Sequence, residues 1–386
     1  MRISRDQFSP GVKTKVVIVA AETKSYARAA VVLEKVGEVR VSDRHIGRVA
    51  QVNGQRLVDQ LHEQAELLKQ KKLSIEVENI PELAVVEFDG GRIRTRQEDQ
   101  GSGTHDPRWR ETKNALFMRM QSDIHAEDPC PVLPQSLQNR NRIRQLVLEM
   151  SGTAEGVEES PDEETLAESQ TRYQGPKRLF RTCISSLANS REFGPLMTAE
   201  AHRRGLFQAS RQAFVADGMK CNWTIQKKHF PAFTPIVDFL HVISYLYHAA
   251  LAIGEDEDFG WGLCLQWTSD CWQGRVGDVI VELADWLSRQ KPLAGDEDRT
   301  EDDPRVIVAT AVTYLTNNQS RMQYPEYRRQ GLPLTSSLME SLVKEINWRV
   351  KGTEKFWNDP SGANAILALR AASLCEDGRL EQLLTE

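Results

Sequence analysis

The chain has 386 residues, 40% of them apolar and 27% charged, with a formal net charge of −6. That length suffices for two or three domains with buried cores. The lack of any apolar run near ~18 residues argues against a membrane span, and the start MRISRDQFSPGVKTK has no secretory apolar core, so a cytoplasmic chain is expected. Cys130, Cys183, Cys221, Cys264, Cys271 and Cys375 are scattered without a CxxC pair, which indicates neither a disulfide framework nor a zinc ribbon; reduced packing residues are expected.

In chain order, residues 1–75 read as helical. Ser25 opens SYARAAVVLEKVG, which Gly37 terminates; Ser42 can cap SDRHIGRVAQVNG, and a third helix runs from Gln55 to Lys71. Two short helices with a tight turn fit a helix-turn-helix that would offer Arg44, His45 and Arg48 to a major groove, although a core scaffold would look much the same. From Pro81 the pattern turns to strands. Leu83 to Phe88 is a buried strand, Gly90-Gly91 a turn, Arg92 to Arg96 the start of its partner, and Lys113 to Met120 a third strand. Residues 152–176 are acidic without apolar periodicity and are expected to be a mobile linker. Glu192 to Arg204 then reads as a helix leading into a strand that ends at Asp217. Residues 246–334 form an all-helical segment rich in tryptophan, including Trp261, Trp267, Trp272 and Trp286, and 335–375 returns to a helix carrying Glu340 that Thr335 to Ser337 can cap.

Asp89 and Asp217 each end an apolar run and precede a glycine, and Glu340 lies in a helical run. An Asp at the end of a buried strand can offer its oxygens to a hard cation. Two Mg²⁺ held about 4 Å apart by such carboxylates activate a water or a 3′-hydroxyl and stabilise the leaving oxygen of a phosphodiester. Asp-Gly after an apolar run is also an ordinary turn.

The stretches VEFDGGRIRTR, FVADGMKCNW, PIVDFLH, CWQGRVGDVI and YLTNNQSRMQYPEYRRQGLPLTSSLMESLVKEINWRVKGTEKFW resemble the transposases of the Kra group of bacterial insertion sequences, over about residues 80 to 375. The resemblance implies a DDE transposase with a ribonuclease-H-like α/β (α+β) core of mixed sheet, spanning 80–245 and 335–375, with 246–334 as an all-helical insertion and an N-terminal helical region. It places the catalytic and metal-binding acids on Asp89, Asp217 and Glu340, holding two Mg²⁺ or Mn²⁺ ions, and implies transposon-end and target double-stranded DNA as partners of a nucleoid-associated homo-oligomer. Mutator-like and hAT transposases also carry a Cys or Asp, two residues, then His, after the second Asp; Asp238 and His241 match that pattern. A His beside apolar neighbours can equally be a core residue.

Members of the Kra group generally have more sequence ahead of the point that matches residue 1, so end-recognition elements are expected to be missing. A truncated or domesticated DNA-binding remnant is one alternative. Another ribonuclease-H-like nuclease, such as a junction resolvase, would use the same acids but hardly the long insertion.

Net negative charge sits awkwardly with DNA, yet the acid concentrates in 152–176, 254–258 and 296–303. RIRTR at 92–96, RNRIR at 140–144, Lys227-Lys228, Arg328-Arg329 and the helix from Lys344 to Lys355 leave room for a basic face. In that helix Glu340, Lys344, Asn347 and Lys351 recur on one side, either as a solvated stripe or as phosphate contacts. Trp272 is expected either in a helical core or as a wedge into distorted DNA.

Overall fold

The run Leu83 to Phe88 is apolar at nearly every position, the pattern of a strand covered on both faces. In the computed structural model, which describes residues 8–96, 108–150, 174–291, 300–352 and 356–385, it lies at the centre of a five-stranded sheet. The elements are α1 (Pro10–Glu22), α2 (Tyr26–Lys35), α3 (Asp43–Lys69), β1 (Leu83–Arg94), β2 (Trp109–Gln121), α4 (Arg140–Met150), β3 (Lys177–Ser186), α5 (Ser190–Arg203) and β4 (Arg211–Ala216). Then follow α6 (Lys220–His229), β5 (Thr234–Val237), α7 (Phe239–Ile253), α8 (Glu257–Trp272), α9 (Val276–Ser288), α10 (Pro304–Asn318), α11 (Tyr324–Arg329), α12 (Ser337–Val350), α13 (Pro360–Ser373) and α14 (Arg379–Thr385).

The strand order is β3-β2-β1-β4-β5, with β1 antiparallel to β2 and parallel to β4. This mixed α/β sheet is consistent with a ribonuclease-H-like core. The expected order of three strands, a helix and a strand is met by β1, β2, β3, α5 and β4, with different members than expected and with α4 inserted between β2 and β3. Gly90-Gly91 is not a turn: β1 runs through it, with Gly90 opposite Lys113 and Gly91 opposite Thr112. A Cβ on Gly91 would stand 2.6 Å from Thr112 Oγ1, so here glycine permits a close side-chain approach within the ladder. Lys113 to Met120 thus belongs to the second strand, and the third is β3. Most of the acidic linker, 151–173, lies outside the described residues.

The chain divides into two compact units, one of Met1–Gln121, Arg178–Thr234 and Ser336–Glu386, the other of Ser122–Lys177 and Pro235–Thr335. In the first, the N-terminal helices are not a separate domain: α3 packs on α13, α1, α5 and α2. Gly54 does not end a helix at the Asn-Gly step. It lies inside the 27-residue α3, where a Cβ would come within 2.1 Å of the Ala365 carbonyl oxygen of α13. The second unit is helical, with α7 against α8 and α10, and α9 against α10. Among the described residues no helix is long and apolar enough to cross a membrane.

A buried ionic cluster ties α5 to the C-terminal segment of the first unit. Glu200 is fully buried and meets Arg204 Nε at 3.1 Å, Arg203 Nη1 at 3.2 Å and the Arg379 guanidinium, while Asp377 pairs with Arg204 and Arg379. Burial alone would raise the Glu200 carboxyl, but Arg379, Arg204 and Arg203 outweigh it and hold it far below the ordinary carboxylate range. Asp377 is lowered as well, chiefly by Arg379 against its own burial. A folded-state pKa below the unfolded one adds stability above the unfolded value and loses it as pH falls towards the folded one. Unfolding free energy is therefore expected to drop steadily as pH is lowered from about 5, where free carboxyls begin to protonate. In Glu200→Gln the loss should already be present at pH 7 and change less on acidification. Urea titrations of both proteins between pH 3 and pH 7 check this; parallel pH profiles would contradict it.

Candidate active site

The paired run of β1 with β4 ends at Phe88 opposite Ala216, so Asp89 and Asp217 occupy the next position on two neighbouring strands. Adjacent strands run ~4.8 Å apart, within reach of a shared ion. Both carboxylates are half-buried. Asp217 leaves β4 at its end, as its sequence context suggests. Asp89 does not end its strand: it sits inside β1 opposite Asn114, because the glycines after it continue the ladder.

Each acid has a local clamp. Asp217 Oδ1 accepts from the Met219 backbone N–H at 2.9 Å and from Asn222 Nδ2 at 2.6 Å, across a Gly218 whose φ of +96° few other residues adopt. Trp223 Nε1 donates to the Gly218 carbonyl at 3.1 Å, closing the turn into α6. Asp89 Oδ1 accepts from the Gly90 N–H at 2.7 Å. Beside it, Asn114 Oδ1 accepts from Ser185 Oγ at 2.7 Å, joining β2 to β3.

Sequence reasoning missed Asn114, Asn222 and Glu87. Glu87 is 1% exposed and precedes Asp89 by two residues, hence on the same side of β1. For Glu87 the available signal was polarity out of place, a carboxylate inside the apolar run of β1; Asn114 only borders the apolar run of β2, which starts at Ala115. Lys113 is also buried, and its ammonium meets Glu111 Oε1 at 2.6 Å.

Glu340 occupies the first turn of α12, which packs on β1 and β2 through a face on which Met339, Leu342 and Ile346 are buried. Ser336 is the N-cap, but its side chain makes no capping bond, so the expected hydroxyl cap is not realised. Lys344 and Lys351 are exposed and Asn347 is half-buried, with Lys351 just past the helix end as its C-cap. Arg44 and Arg48 near the start of α3 are exposed, while His45 stands 4.7 Å from the Phe8 ring.

In the second unit the DxxH motif is not borne on a strand. Asp238 is the N-cap of α7, with Oδ1 accepting from the Leu240 N–H at 3.0 Å and Oδ2 meeting His241 Nδ1 at 2.7 Å. Asp238 is fully buried and His241 half-buried, so the carboxylate fixes the imidazole's orientation. Asp238, His241 and Glu340 each offer an oxygen or nitrogen of the kind that takes a divalent cation.

Two expected DNA contacts are corrected. Trp272 is 4% exposed, with Nε1 donating to the Cys130 carbonyl at 2.8 Å and Phe239 packed at 5.1 Å, and is therefore a core residue rather than a wedge. Arg328 is 0% exposed; it lies 4.1 Å over the Trp272 ring, binds both carboxylate oxygens of Asp128 and donates to the Trp272 carbonyl. The bidentate pair ties α11 to the non-helical segment at Asp128, and a guanidinium buried in this way is not presented to a phosphate. Arg329 is half-exposed and engaged with Glu326 on its own helix.

No family model matches the chain, and no curated protein matches its sequence. Among solved structures it is similar to the Drosophila P element transposase strand transfer complex at 10% identity, over 91% of this chain and 96% of that one, with a TM-score of 0.31. A score that low ties neither fold nor function to that structure. The Kra-group resemblance therefore rests on the sequence stretches alone.

Proposed function

We propose that this chain is a metal-dependent DNA transposase of the DDE type, cleaving and joining strands at insertion-sequence ends, with Asp89, Asp217 and Glu340 as its metal-binding acids. The observation that supports this most is the register of β1 and β4, which puts two clamped aspartates side by side, on a sheet covered by the helix that carries Glu340. Half-buried carboxylate oxygens are the donor set that Mg²⁺ or Mn²⁺ prefers. When bound, two such ions would lower the pKa of an attacking water or 3′-hydroxyl and neutralise charge on the leaving oxygen.

The protein's own part is positioning. Asn222 and the Met219 N–H hold the Asp217 carboxylate through its Oδ1. Asn114 and Ser185 stiffen the strands beside Asp89. Asp238 and His241 are assigned a supporting role, with the imidazole held by its own carboxylate. No nucleophilic side chain is required, since the reacting oxygens belong to water and DNA. The partners would be transposon ends and target DNA, bound by a homo-oligomer at the nucleoid.

The direct test is incubation of the full chain with DNA from the flanks of its gene and Mg²⁺ or Mn²⁺, with products resolved on a gel. Discrete nicks at short inverted repeats are expected. Binding without cleavage under either metal would favour a non-catalytic DNA-binding remnant.

Lys344 and Lys351, exposed on or just beyond α12, are assigned to phosphates, with Asn347 between them. Lys344→Ala and Lys351→Ala should each weaken binding to any DNA sequence and lower the slope of log affinity against log salt by about one unit. Unchanged slopes in both variants would return this face to solvent.

A further inference from the structure

The helix that carries Glu340 also carries Trp348, which is 53% exposed although Met339, Leu342, Ile346, Arg349 and Val350 on the same helix are buried. One exposed aromatic is ordinary by itself. Its surroundings are less so. The Lys24 ammonium lies 3.6 Å from the centre of the indole ring, and exposed Lys344 and Lys351 flank Trp348 one turn to either side. Lysine is depleted from protein–protein interface cores, whereas an aromatic ring among cations is the arrangement that binds unpaired nucleotides, the ring under a base and the cations on the backbone. From Glu340 to Trp348 the helix rises about 12 Å. At ~3.4 Å per nucleotide along a strand, that corresponds to three or four nucleotides.

We propose that Trp348 is a stacking platform for an unpaired base of the DNA, about three or four nucleotides from the phosphate that is cut, with Lys344 and Lys351 on the backbone to either side and Lys24 steadying the indole. The position relative to the cut rests on the transposase reading; the stacking itself does not.

The test uses the full chain and inverted-repeat DNA with a short single-stranded end, in Ca²⁺ to suppress cleavage, with 2-aminopurine placed at successive positions. One position should be strongly quenched in the wild type, three or four nucleotides from the cut. Trp348→Ala should lose that quench and bind about tenfold more weakly, while Trp348→Phe, which keeps an aromatic face, should retain most of both. An abasic nucleotide at the quenched position should erase the difference between wild type and Trp348→Ala. Equal quenching and affinity in wild type and Trp348→Ala would overturn the platform. So would an affinity loss that persists on abasic DNA, which would mark a protein-contact or structural role. Failure of the transposase reading is separable: Glu340→Gln that still cleaves in Mg²⁺ would sink that reading while leaving the quench intact.

Discussion

Asp89→Asn, Asp217→Asn and Glu340→Gln are each expected to lower Mg²⁺-dependent strand cleavage about 10³-fold or more while leaving affinity for the same DNA within about a factor of two. The magnitude follows from what is removed. A metal ion at a phosphoryl centre supplies several kcal/mol of transition-state stabilisation, and each ~1.4 kcal/mol is a factor of ten in rate. The substitutions are nearly isosteric, and all three acids are only half-buried, so the fold should tolerate the loss of charge. Asp217→Asn should be the most informative, because Asn222 and the Met219 N–H still find an acceptor in the amide oxygen and the turn into α6 survives. Single-turnover cleavage with a parallel filter-binding titration distinguishes the outcomes. A variant that keeps its rate within about tenfold of wild type would remove that residue from the metal site.

Gly54→Val is expected to cost roughly 3 kcal/mol or more, the upper range for overpacking a close contact, and to leave a chain only partly folded at 37 °C. The added Cβ would sit 2.1 Å from the Ala365 carbonyl oxygen, and that oxygen belongs to helix backbone, so no side chain can turn away to make room. Gly54→Ala should show most of the same loss, although alanine suits a helix better than glycine by ~1 kcal/mol. Thermal and urea denaturation of the two variants provides the measurement. Stability equal to wild type in Gly54→Ala would mean that α3 and α13 do not cross this tightly.

Much of the core was legible because buried strands and amphipathic helices write themselves into composition. The Leu83 to Phe88 run, the helix before Asp217 and the strand ending there were readable from sequence pattern; the register that brings the two aspartates to neighbouring positions is seen only in the pairing of β1 with β4. Glycine was the main source of error. Gly54 and Gly90-Gly91 carry the local signature of a break, yet in each case the missing side chain serves a neighbour far away in sequence, which no local window contains. Arg328 and Trp272 failed for a related reason: nothing near them announces Asp128 or the Cys130 carbonyl, the partners that bury them. The DxxH motif stands out in the sequence, but its Asp reads as strand or helix cap depending on where β5 stops, and a four-residue strand sets a weak boundary.

The crossing of α3 with α13 also bears on how the chain is made. Synthesis proceeds at ~5–20 residues per second, so roughly 15 to 60 s separate the emergence of residue 69 from that of residue 360. Throughout that interval the apolar side of α3 that includes Leu57 and the small surface at Gly54 have no α13 to meet. The central strand β1 likewise waits for α12. Local pairing of β1 with β2 forms early, because the two are consecutive in the chain, but its helical cover arrives last. A nascent chain of this design exposes sticky surface for most of its synthesis, and its yield in a cell should depend on chaperone supply and growth temperature more steeply than its final stability would suggest.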